Sequence, residues 1–196
     1  MRQSVYLTLV LTGSLVSLPA AARAEHQHGH KHDPSTVSQG TDKPVTVQPN
    51  QLVVDVNGVV CSICAYGLEK RLSKMAFLDD SQFKNGVQTD IYHHHVTLAL
   101  APGKPVDFKN IHDRITDGGY TPVAIFVRLS GPVAQQGDRY VLTSGSGQQF
   151  ELRGQGVEQL AGQTADAQGR IEMADVKGLS PDQPVPVTIQ QPGGAS

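Results

Sequence analysis

Apolar positions fall into three regimes along the chain: one short run near the start, a nearly apolar-free stretch, and then clear periodicity from Leu52 onward. Leu52-Val53-Val54-Asp55-Val56 is rich in β-branched residues and stops at Asn57-Gly58, which predicts a strand ending in a turn. Leu68, Leu72 and Met75 then stand at i, i+4 and i+7, with Glu69, Lys70, Arg71 and Lys74 on the remaining faces, the stripe of an amphipathic helix. Val87, Thr89 and Ile91 alternate, as do Val96, Leu98 and Leu100 on the far side of Tyr92-His93-His94-His95, a hairpin pattern. Phe108, Ile111 and Ile115 mark a second helix, closed by Gly118-Gly119, and a last strand runs from Pro122 to Leu129. The predicted order over residues 51–129 is β-α-β-β-α-β, a ferredoxin-like arrangement.

Ser130-Gly131-Pro132 reads as a domain boundary. Beyond it, Tyr140-Val141-Leu142 and Phe150-Glu151-Leu152 flank a Ser-Gly turn, and Val185, Val187 and Ile189 alternate between prolines. Ile171 and Met173 suggest one more strand, while residues 157–169 are polar and ambiguous, with a short helix expected at Leu160-Ala161. Residues 130–190 are thus expected to form a small all-β module, a barrel or sandwich of the OB type, followed by a flexible tail at 191–196. The predicted class is α+β.

The N-terminus bears on compartment. Met1-Arg2, an apolar run from Val5 to Leu18, Pro19 and Ala22-Arg23-Ala24 compose a secretory signal peptide over residues 1–24, too short in its apolar part to span a membrane comfortably. Cleavage would leave 172 of the 196 residues, and loss of Arg2 and Arg23 would take the formal charge from −2 to −4. A mildly acidic chain argues against a nucleic-acid partner. The expected location is periplasmic or extracellular, with no membrane span after cleavage.

Candidate chemistry sits in three places. Cys61 and Cys64, the two cysteines of the chain, occupy the junction of the first strand and first helix, where loop amides and the helix dipole favour thiolates. Thiolates select soft or borderline ions. His26, His28, His30 and His32 alternate in a leader, residues 25–50, whose Ser, Thr, Gln and Gly content predicts disorder and whose imidazoles can gather Cu(II), Ni(II) or Zn(II). His93, His94 and His95 form the third group; in a split-βαβ topology the hairpin tip lies at the same end as the cysteines, so a shared Cys₂His or Cys₂His₂ site favouring Zn(II) is one expectation and a solvated turn the other. His112 is expected to be structural. No nucleophile triad, carboxylate pair or phosphate-cradling loop stands out, so the chain is not expected to be an enzyme of those classes.

Gly58-Val59-Val60-Cys61-Ser62-Ile63-Cys64, the Leu68/Leu72 helix and Asp117-Gly118-Gly119-Tyr120 together resemble the heavy-metal-associated domain of copper chaperones, copper-transporting ATPases and periplasmic mercury-binding proteins. The resemblance implies two- or three-coordinate binding of Cu(I), or of Hg(II), by Cys61 and Cys64, with Tyr120 close by. Zn(II) is a further expected ion, and a membrane metal transporter or efflux component an expected partner. Two features depart from the family: Val59-Val60 stand where Met-Thr is usual, and the connection around Asp79 to Asn85 is longer. A thiol–disulfide oxidoreductase using the same cysteines, or an interaction protein with idle thiols, are the competing expectations.

Overall fold

β1 (Gln51–Asn57) is the strand on which the cysteine end is built, and both its faces are covered. Leu52, Val54 and Val56 point into the main core, while Val53 joins a small second cluster with Val47, Ala124 and Phe126 on the opposite face. Two sets of alternate residues therefore serve two different surfaces. The computed structural model describes residues 45–180 and 182–191. The expected signal peptide, the leader histidines His26, His28, His30 and His32, and the tail from residue 192 lie outside the described residues.

The remaining elements are α1 (Ser62–Leu72), β2 (Val87–Asp90), β3 (His95–Ala99), α2 (Phe108–Thr116), β4 (Thr121–Gln136), β5 (Arg139–Thr143), β6 (Gln149–Arg153), a single 3₁₀ turn (Val157–Leu160), β7 (Thr164–Glu172), α3 (Met173–Lys177) and β8 (Val185–Gln191). The protein is mixed α/β and dominated by its sheet. Strand order is β2-β3-β1-β4-β5-β6-β8-β7, with β4 also paired to β7. Because β4 meets both β5 and β7, the strands β4-β5-β6-β8-β7 close into a ring, antiparallel throughout except for the β6–β8 pair.

The helices cover one face of β2-β3-β1-β4. Ala65, Leu68 and Leu72 of α1 and Phe108, Ile111 and Ile115 of α2 are buried there, each large side chain contributing about 1.5–3 kcal/mol by burial. Asp107 caps α2 by accepting from the Asn110 amide at 2.9 Å, and Arg114 Nη1 donates to the Arg71 carbonyl at 2.9 Å, tying the two helices together. Phe108 meets Phe150 edge-on at 6.1 Å, so the helix layer and the ring share one apolar core.

Two stretches differ from expectation. Ser130-Gly131-Pro132 is continuous strand within β4, so the two halves share a strand in place of a linker. Glycine is needed there because a Cβ at Gly131 would run into the Thr143 carbonyl oxygen of β5; the residue that looks like a breaker is demanded by close packing. Residues 45–50, assigned from composition to the disordered leader, are ordered on the sheet: Val47 is buried against Phe126, and its amide donates to Gln168 Oε1 at 3.1 Å. Gln191, expected in the tail, ends β8.

Candidate metal centre

α1 begins at Cys61. The residue is extended (φ −147°, ψ 158°) and its Sγ accepts from the Cys64 amide at 3.1 Å, the role a serine or aspartate oxygen usually fills at a helix N-cap. The first turn carries no acidic residue, and Lys70 and Arg71 lie in the last turn. In the reduced protein, an amide and the helix dipole would favour a thiolate at Cys61, with no carboxylate in the first turn of the helix to oppose it. Val59 is buried beneath the loop as an apolar plug.

Cys61 is exposed and Cys64 half-buried against the core. Their Cα atoms are 5.1 Å apart and the two sulfurs are joined as a disulfide. Tyr120 lies in the loop before β4, where its amide bonds the Ile115 carbonyl that ends α2, and its hydroxyl donates to the Cys64 carbonyl at 3.1 Å. A Cβ at Gly118 would stand 2.9 Å from the Tyr120 ring, so the glycine makes room for the side chain that braces the cysteine turn. Val60 and Ile63, adjacent to the cysteines in sequence, are 74% and 82% exposed, and Tyr66, two residues beyond Cys64, is 58% exposed.

The hairpin tip does reach the same end of the sheet: the Val56 amide donates to the His94 carbonyl at 2.8 Å, five residues before Cys61. The side chains, however, divide between faces. His95 pairs in register with Asp55 and lies edge-on to Phe126 at 6.5 Å, on the face away from α1 and α2. His93 stacks beside it, ring centres 6.2 Å apart, and its Nδ1 is 2.7 Å from Asp90 Oδ2. Asp90 Oδ1 also accepts from the amides of Tyr92 and His93, which fixes the turn. Cys64 packs on the other side of the sheet, in the core lined by Val54 and Val56. Among the described residues no three His, Cys, Asp or Glu side chains stand together in an arrangement that would hold an ion.

His94 lies in the turn between His93 and His95. Its φ of +60° is uncommon for a residue with a side chain and resets the alternation within the hairpin. Its Nδ1 is buried without a hydrogen-bond partner. Charges around the hairpin follow the contacts: the hydrogen bond from His93 holds Asp90 below the usual carboxylate range. Burial pushes His95 below the usual imidazole value, against the pull of Asp55. His112 lies on α2 with its Nδ1 3.0 Å from Asp113 Oδ1, largely covered and distant in role from either group.

The C-x-x-C spacing pointed to the cysteines and the family resemblance to Tyr120, but neither to Asp90, whose turn-capping and imidazole contact make it part of the hairpin group. Its position three residues before His93, at the end of a strand, was the available signal. Comparison with protein-family models, curated proteins and solved structures gave no match to this chain.

Proposed function

We propose that the protein is an exported carrier of a soft metal ion, Cu(I) in the first place and Hg(II) or Zn(II) as competitors, held by Cys61 and Cys64 at the mouth of α1. One observation carries the reading: the two cysteines share an exposed helix N-terminus, with Cys61 as the N-cap receiving the Cys64 amide and no acid in the first turn. Reduced, two such thiolates lie close enough to converge on one ion, because their backbone sites are 5.1 Å apart. Exposed Val60, Ile63 and Tyr66 near the pair in sequence offer apolar surface to a receiving protein, a membrane transporter or efflux component.

The fold assignment belongs to the same proposal. Strand order β2-β3-β1-β4 with α1 and α2 on one face is what a ferredoxin-like, heavy-metal-associated domain would have, and the five-strand ring β4-β5-β6-β8-β7 with parallel β6 and β8 fits an OB-type barrel. Residues 1–24 act, in this reading, as the export signal, and the leader histidines gather ions for transfer to the thiols. The carrier reading also requires that the disulfide be opened before loading, by a reductant in its compartment.

The test is a competition titration of the reduced full chain with Cu(I), Hg(II) and Zn(II) beside Cys61→Ser/Cys64→Ser. Tight 1:1 binding lost in the variant supports the carrier. Equal binding by both proteins removes the thiols from the metal chemistry, and rapid exchange of the disulfide with small thiols without metal uptake would then favour an oxidoreductase.

A further inference from the structure

We propose a second metal site, independent of the thiols: a two-imidazole site for a borderline divalent ion, Cu(II) or Zn(II), formed by His93 and His95 on the open face of the sheet. The register places the residues. Across the strands, Asp90, His95 and Asp55 occupy one row, since Asp90 pairs with His95 and His95 with Asp55. His93 leans onto this row from the turn, its ring 24° from parallel with that of His95.

The Asp90–His93 contact has the form of a ligand support. A histidine that binds metal through one nitrogen commonly donates the other ring N–H to a carboxylate, which fixes the tautomer and raises ligand basicity. His93 Nδ1 is 2.7 Å from Asp90 Oδ2, which leaves Nε2 as the ring nitrogen available to an ion, and the His93 side chain is 55% exposed. His95 is half-buried between two carboxylates of its row and against Phe126, so its ring is held in place. Asp55 and Asp90 supply negative charge to an arriving cation.

Distance permits the pairing. With metal–nitrogen bonds of about 2.0–2.1 Å, two imidazoles on one tetrahedral ion have ring centres roughly 5 Å apart, and on a linear one roughly 6 Å. The observed 6.2 Å is thus near the linear value and about 1 Å too open for the tetrahedral case, which requires the exposed His93 side chain to move closer. Two protein ligands with water completing the shell suit Cu(II) or Zn(II). A soft ion would prefer the sulfurs on the other face.

The experiment uses the full chain carrying Cys61→Ser/Cys64→Ser and His26→Gln/His28→Gln/His30→Gln/His32→Gln, so that neither the thiols nor the leader compete and failure of the carrier reading leaves the result intact. Substoichiometric Cu(II) is added and amide NMR signals are followed. The site predicts selective broadening at residues 90–97 and, across the strands, at 53–55 and 124–126. Adding His93→Gln/His95→Gln removes it, and Asp90→Asn, which keeps an acceptor for the turn, weakens binding by roughly 10-fold or more. Unchanged thermal unfolding of these variants guards against loss of fold. Broadening that survives His93→Gln/His95→Gln, or that centres elsewhere, overturns the site.

Discussion

Two groups of metal-capable side chains stand at one end of the same sheet, and the strand between them keeps them apart. On the helix face, Cys61 and Cys64 are positioned by the start of α1, by an amide bond to sulfur and by the Tyr120 hydroxyl. On the open face, His93 and His95 are positioned by a carboxylate and an aromatic ring. The first environment sets sulfur at a helix N-terminus, the second sets imidazole beside carboxylates. Sharing an end of a sheet brings residues within a few ångströms in sequence register, yet the side-chain period of two decides which of them can meet.

The largest effect that would sharpen this contrast is chemical. Cys61→Ser/Cys64→Ser is expected to lower Cu(I) and Hg(II) affinity by several orders of magnitude while leaving Cu(II) uptake at His93 and His95 as it was, measured by competition titration. Loss of both activities together would join the two groups into one site. Next comes Phe126→Ala, which removes the floor under His95 and empties the small cluster shared with Val47 and Val53. It should cost about 3 kcal/mol in denaturant unfolding and leave Cu(I) binding intact in the folded protein.

Tyr120→Phe probes the other face. It deletes the 3.1 Å bond to the Cys64 carbonyl while keeping the ring, with an expected cost near 1 kcal/mol in stability and a weaker hold on the soft ion. An unchanged Cu(I) affinity would reduce Tyr120 to a packing residue.

The smallest effect is on pH. His95 is held below 6.5 by burial, so the unfolded chain takes up this proton at higher pH than the native protein does. Stability present above pH 6.5 is therefore lost as pH falls through the unfolded value toward the native one. Thermal melts between pH 7.5 and 5.5 should fall more steeply for the wild type than for His95→Gln. Asp90, held below 3.8, has the same sign in a separate window, its contribution disappearing only as pH falls through its native pKa.

How much of this was readable from the sequence depends on side-chain size. β1, α1, β3 and α2 announce themselves through Leu, Ile, Val and Phe at regular intervals. β7 does not, because its inward positions are Ala165, Ala167 and Gly169 before Ile171, residues small enough for a crowded ring and too small to mark a strand. Gly169 in particular leaves no room for a Cβ beside Val187. Met173, taken for the next inward strand position, instead opens α3.

At the candidate site, the place of Cys61 and Cys64 between strand and helix, and the end they share with the hairpin, followed from order and spacing. Their separation by face did not. It depends on register: His95 pairs with Asp55, on the face opposite Val54 and Val56, and His93 stacks on it there.

X-ray absorption at the copper edge of the reduced full chain loaded with one equivalent of Cu(I) tests the central claim most directly. The account predicts a first shell of sulfur alone, with no imidazole scattering. A shell containing imidazole together with sulfur would show that the hairpin completes the thiol site, and the division of the two groups between faces would be wrong.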